Sequence, residues 1–120
     1  MRKALPGPYT FILPATKLVP KIMISKQKTV GIRVPDNPIS VALIQRLGNP
    51  ILNTSAILDP GEPPMTEAYE IEEQFGKVVD LIIDGGPVYP SPSSMISLIN
   101  DQPEILRQGK GDTSIFILNP

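Results

Sequence analysis

One strand-like run carries the clearest chemical signal in the sequence. Across Thr29–Val34 the two-residue period puts Val30, Ile32 and Val34 on one face and Thr29, Gly31 and Arg33 on the other. A guanidinium on a packed strand needs an anionic partner, because an unpaired buried charge costs several kcal/mol. Gly31 leaves room beside it, and a glycine inside a strand marks either a close approach or a bulge. The pattern fits a ligand with phosphate or carboxylate groups, or an internal salt bridge beside a bulged Gly31. A second cluster, Asn53, Thr54, Ser55 and Ala56, closes an expected strand at the end where open α/β sheets bind ligands. Its small polar side chains suit a phosphate or an amino-acid group, or simply the start of a turn. Gly85-Gly86 and Ser91–Ser94 are weaker signals, since loops are built from such residues. The carboxylate pairs Asp80/Asp84 and Glu72/Glu73 read as solvated or structural.

The sequence of 120 residues contains no Cys and no His. Thiolate nucleophiles, disulfides, zinc fingers and imidazole-based catalysis are therefore excluded. A metal would have to be a hard cation held by oxygen or by a bound phosphate, and no resident metal site is expected. Neither a Walker A nor a dinucleotide-binding glycine motif occurs. No apolar run approaches the roughly 20 residues of a membrane span. Pro6, Gly7 and Pro8 follow Met1-Arg2-Lys3 at once, and Tyr9–Leu13 is shorter than a signal core of about 7–15 residues. The expected location is the cytoplasm.

The net charge of −1 conceals a polarity. Residues 1–46 hold eight basic groups against Asp36 alone, a balance of +7; residues 47–120 hold three basic and eleven acidic groups, a balance of −8. The halves either neutralise each other in one domain or present a basic face to phosphates, nucleotide or RNA. Lys17, Lys21, Lys26 and Lys28 are the candidate RNA contacts. With three Tyr, three Phe and no Trp, base stacking is poorly served, so a phosphate or duplex backbone fits better.

Fifteen prolines and nine glycines divide the chain into short elements. Strands are predicted at Tyr9–Leu13, Thr29–Val34, Pro50–Ala56, Val78–Asp84, Met95–Ile99 and Ile105–Arg107. The basic connector Lys17–Lys28 has room for one helical turn around Val19–Met23. Asp36-Asn37-Pro38 opens a helix with a buried stripe of Ile39, Leu43 and Leu47, and Gly48 stops it. Thr66 is expected to cap a second helix, with Glu67 and Glu70 in its first turn and Gly76 at its end. Pro-rich loops are expected at Leu58–Met65 and Pro87–Ser94. Strands alternating with helices indicate an α/β domain with a mixed sheet.

Five segments, Pro6–Leu13, Lys28–Pro35, Asn53–Ala56, Val79–Gly86 and Ile105–Gly109, resemble the YrdC-like family, and within it the YciO branch, in family order. The resemblance implies a twisted mixed sheet with flanking helices, residues 1–120 forming part of such a domain. Family members include synthases that turn ATP, bicarbonate and L-threonine into threonylcarbamoyl-AMP, the donor for N6-threonylcarbamoyladenosine in tRNA. Double-stranded RNA binding is also described for the family. By resemblance Thr29 and Ser55 would contact the nucleotide, Asn53 would contribute its backbone, and Arg107 would contact a phosphate. Arg33 would hold the threonine carboxylate and Ser94 would touch threonine. ATP with Mg²⁺ would be a substrate complex, with no tightly bound cofactor, and no catalytic residue is assigned.

Departures from the family pattern accompany the matches. The family's Pro-Thr-Asp-Thr-x-Tyr-Gly-Leu segment and Lys-x-Arg pair have no counterpart, and Met1–Leu5 reads as the last turn of a helix. Ile57 stands where Asn is common, and Ser93-Ser94-Met95 replaces Ser-Thr-Val. An incomplete sheet with an exposed edge is expected, which favours self-association. The alternative reading is a non-catalytic module for double-stranded RNA or nucleotide.

Overall fold

Two β-rich runs bounded by prolines build the first hairpin, β1 (Tyr9–Pro14) and β2 (Thr29–Arg33). In the computed structural model, which describes residues 1–89, 91–100 and 102–117, they pair antiparallel, with Thr10 opposite Arg33 and Pro14 opposite Thr29. The connector between them holds one 3₁₀ turn, Lys21–Met23. β3 (Ser94–Ser97) runs parallel to β1, and β4 (Glu104–Arg107) runs antiparallel to β3, giving the order β2-β1-β3-β4. This is the mixed α/β sheet the sequence predicts. Of the expected Pro87–Ser94 loop, Pro90 lies outside the described residues.

The chain divides into two units. Met1–Pro50 and Ser91–Pro120 form one, and Ile51–Pro90 the other. In the first, one sheet face carries the core: Ala4, Tyr9, Phe11 and Ile96 are buried, with Leu5, Leu98 and Phe116 packed against them. The Phe116 ring meets Phe11 edge-on at 5.7 Å and Tyr9 at 5.6 Å, the geometry that aromatic quadrupoles favour. The Tyr9 hydroxyl donates to the Asp112 carbonyl at 2.9 Å, so its polar tip is satisfied at the core edge.

Helix α1 (Pro38–Leu47) forms where its caps predict. The Asn37 side chain accepts from Ser40 N at 3.0 Å, and Gly48 ends the helix at φ 84°, a left-handed conformation glycine adopts without a Cβ penalty. Its stripe is not buried as expected: Ile39, Leu43 and Leu47 are 40, 46 and 52% exposed. The period of a stripe specifies which side is apolar, while burial requires a packed neighbour.

The Ile51–Pro90 unit departs further from expectation. Helix α2 (Ala68–Phe75) has Glu67, not Thr66, at its N-cap, without a side-chain cap bond. Instead the Glu70 carboxylate accepts from Thr66 N at 3.3 Å. Pro50–Ala56 and Val78–Asp84 form no strand. β-Branched composition describes fitness for a pleated, half-buried surface, and neither run has a ladder partner among the described residues. Val78 and Val79 instead donate to the Phe75 carbonyl, prolonging the helix end, and Asp84 accepts from Gly86 N at 2.9 Å in a local turn.

Candidate functional site

Strand register brings two candidates of the first unit, Arg33 and Arg107, into one row. Arg33 pairs with Thr10, Thr10 with Met95, and Met95 with Arg107, so these four form one row across β2, β1, β3 and β4. Directly paired residues point to the same face. The row therefore lies on the face opposite Phe11 and Ile96, and both arginines are exposed. At β4 the register shifts, Arg107 pairing with Met95 but Ile105 with Ile96. Leu106 is thus the extra residue of a bulge, a feature that re-aims the neighbouring side chain.

Ser93, just before β3, ties the row together. Its hydroxyl lies 2.5 Å from the Thr10 hydroxyl. Arg107 donates through Nε to the Ser93 carbonyl at 2.9 Å and through Nη2 to the Ser93 hydroxyl at 3.3 Å. The guanidinium is thereby oriented by its inner edge while the side chain stays exposed. Charge-assisted donors of this kind suit phosphate and carboxylate oxygens. Arg33 and Arg107 stand three strand spacings apart, about 14 Å at the backbone, a separation for two anionic groups rather than one. Among the described residues no ion pair engages Arg33, and Gly31 pairs regularly with Ile12. The bulge in this sheet is at β4, not at Gly31. A methyl group at Gly31 would sit 3.5 Å from Ile12 and Thr10, ordinary contact, so the protein's own packing does not require glycine there.

The other candidates are placed elsewhere. Thr29 lies on the same face at the far end of β2, about 14 Å along the strand from Arg33, and its hydroxyl is 2.7 Å from that of Ser25. Lys17, Lys21, Lys26 and Lys28 are all exposed in the β1–β2 connector, at that same far end. Ser94 is fully buried on the core face: its hydroxyl donates to the Gly111 carbonyl at 2.6 Å and accepts from Gly109 N at 2.9 Å. Those bonds fasten the 109–111 segment to β3. Asn53 and Ser55 are exposed in the Ile51–Pro90 unit, where Ile57 N donates to the Ser55 carbonyl at 3.0 Å.

Thr10 is not singled out by the sequence, and Ser93 only as part of the weak Ser91–Ser94 signal. Alternation within β1 and through Ser93–Met95 would have assigned both to the Arg33 face once the hairpin register was known. Among the described residues no cluster of acidic side chains is placed to hold a metal, and no helix is long and apolar enough to cross a membrane.

Comparison with known proteins places this geometry. A family model, Sua5/YciO/YrdC, described as "Telomere recombination", matches residues 1–109. YciO of Escherichia coli K12, an uncharacterized protein, is 44% identical over 118 residues, covering 98% of this chain and 57% of YciO. Its crystal structure superposes with a TM-score of 0.87. The threonylcarbamoyl-AMP synthase of Pyrococcus abyssi is 35% identical over 105 residues, covering 87% of this chain and 31% of that protein. P. abyssi Sua5 complexed with L-threonine matches with a TM-score of 0.79 at 34% identity, over 90% of this chain and 32% of that one. The chain thus spans just over half the length of YciO and about a third of the P. abyssi synthase. With a mixed sheet of this order and a family match over nearly its whole length, the chain belongs to the Sua5/YciO/YrdC family.

Proposed function

We propose that this chain supplies the oxyanion-binding face of a threonylcarbamoyl-AMP synthase-like site, acting on ATP, bicarbonate and L-threonine in the cytoplasm. The observation that carries the reading is the row itself: Arg33 and Arg107 three strands apart on one face, with the Thr10 and Ser93 hydroxyls between them. Arg33 holds the threonine carboxylate and Arg107 the nucleotide phosphates. The nucleotide contacts that the family resemblance implies at Thr29, Asn53 and Ser55 lie outside this row.

In such a reaction the threonine amine forms a C–N bond to the bicarbonate carbon and water departs. An oxygen of the resulting carbamate attacks the α-phosphorus of ATP, and pyrophosphate leaves. No step demands a thiolate or an imidazole. What it demands is two reactants held in line and phosphate charge stabilised, which guanidiniums and hydroxyls provide. Magnesium arrives with ATP and shields its phosphates. The place of Ser94 in this reading is indirect, since its hydroxyl already fastens the 109–111 segment that follows Arg107.

The test is thermal unfolding with Mg-ATP and with threonine. At ligand ten times its Kd, linkage gives about 1.4 kcal/mol of stabilisation, roughly 6 °C for a domain of this size. Arg107→Ala should lose the ATP shift and Arg33→Ala the threonine shift. Equal shifts in wild type and variants would sink the assignment.

A second reading, a binding module for double-stranded RNA such as tRNA, is favoured by four exposed lysines in one connector. It expects duplex affinity to fall steeply with salt, and to collapse when Lys17, Lys21, Lys26 and Lys28 are changed to Glu. Unchanged binding would remove it.

A further inference from the structure

We infer that Thr10 is a positioning residue for Arg107, acting through the Ser93 hydroxyl. Its effect on the guanidinium rests on geometry alone. Its effect on ligand binding rests on the reading of Arg107 as the phosphate contact.

Three observations lead to it. Arg107 is exposed and follows the bulge of β4, so little packing holds its long side chain. A guanidinium only donates, and both acceptors that Arg107 meets among the described residues belong to Ser93: the carbonyl at 2.9 Å and the hydroxyl at 3.3 Å. Its aim is therefore only as good as the placement of Ser93. The second observation is where Ser93 stands. It precedes β3, outside the ladder that begins with Ser94 opposite Tyr9. Thr10, by contrast, sits in β1, which is paired with β2 on one side and β3 on the other, and its branched side chain has few rotamers. The pair of hydroxyls joins the less constrained residue to the more constrained one. Third, the proton count favours Arg107. Ser93 has one hydroxyl proton and two lone pairs. When that proton goes to Thr10 Oγ1, 2.5 Å away, the Ser93 oxygen is free to accept from Arg107 and is polarised into a stronger acceptor. At 3.3 Å the bond from Arg107 Nη2 is at the long end for N–H···O, so it is the link that gains most from this support. Ser93 is buried and Thr10 half-buried, which limits competition from water.

The experiment follows the Arg107 guanidinium by NMR in the wild-type chain and in Thr10→Val, which keeps the branched shape and removes the hydroxyl, and titrates both with Mg-ATP. Rotation about the Arg107 Nε–Cζ bond should be about fivefold faster in Thr10→Val, the factor that one hydrogen bond is worth, and ATP affinity should fall by a similar factor. Thr10→Ser should restore both. In an Arg107→Ala background Thr10→Val should add no further loss, because its effect passes through that side chain. Unchanged rotation in Thr10→Val would overturn the inference, as would a Thr10→Ser variant that behaves like Thr10→Val. So would a loss of affinity that persists without the Arg107 side chain, or full affinity in Thr10→Val where Arg107→Ala loses it. Faster rotation with full ATP affinity in both Thr10→Val and Arg107→Ala would instead uphold the positioning role and remove Arg107 from the phosphate site.

Discussion

The two faces of the four-stranded sheet use the same strands for opposite ends. On one, Tyr9, Phe11 and Ile96 are buried against Phe116. On the other, Arg33, Thr10, Met95 and Arg107 stand in a row with both charges exposed. Even adjacent serines divide between the faces. The Ser94 hydroxyl is enclosed by the 109–111 segment, while the Ser93 hydroxyl joins Thr10 to Arg107. One residue along the chain separates a serine bonded on the core face from one bonded to the arginine row, because the strand period is two.

Substitutions can break this division, beginning with the core. Phe11→Ala removes a fully buried ring and should cost about 3–5 kcal/mol in denaturant unfolding; a loss under about 1 kcal/mol would mean the core is not where it is described. Ser94→Ala strands Gly109 N and the Gly111 carbonyl and should cost about 1–3 kcal/mol. Ser93 is buried too, with its hydroxyl bonded to Thr10 and Arg107, so Ser93→Ala should lower the melt as well and should in addition weaken ligand binding. If Ser94→Ala weakened ligand binding and Ser93→Ala did not, the assignment of faces would be reversed.

Gly31→Ala sharpens the comparison from the other side. With ordinary contacts at the added methyl and φ outside the left-handed region, it should leave stability unchanged or raise it by about 0.4–1 kcal/mol. Ligand affinity should fall if a ligand approaches the strand there. Unchanged affinity would leave Gly31 without a functional role.

The smallest effect is at Asp112, whose carboxyl is held below its ordinary value of 3.8 by hydrogen bonds from the Ser114 backbone and side chain. A depressed pKa contributes stability that is present above the unfolded value and lost as pH falls through the folded one. Asp112→Asn should therefore flatten the acid limb of the stability curve below about pH 3.8. An unaltered limb would show that this turn does not report on folding.

Legibility in the sequence followed the same division. β1, β2, β3 and β4 were readable within a residue or two, because alternation and flanking prolines are local signals. Both α1 caps were readable for the same reason. Pro50–Ala56 and Val78–Asp84 were misread because a strand exists only with a ladder partner, which composition cannot supply. The α1 stripe was read correctly as apolar and incorrectly as buried. At the site, Arg33 and Arg107 were visible singly. Their common row was not, because it depends on the parallel register of β1 with β3 and on the Leu106 bulge, neither of which leaves a local mark. Thr10 escaped notice because its place opposite Arg33 depends on the register of the β1–β2 hairpin, which a single strand does not reveal.

The central claim is that the row binds two anionic groups at its two ends. Calorimetric titration of the chain with Mg-ATP in the presence and absence of L-threonine, alongside Arg33→Ala and Arg107→Ala, tests it most directly. The account predicts that Arg107→Ala weakens ATP binding at least tenfold and that Arg33→Ala weakens threonine binding by a similar factor, with both proteins melting as the wild type does. Wild-type affinity for both ligands in both variants would contradict it.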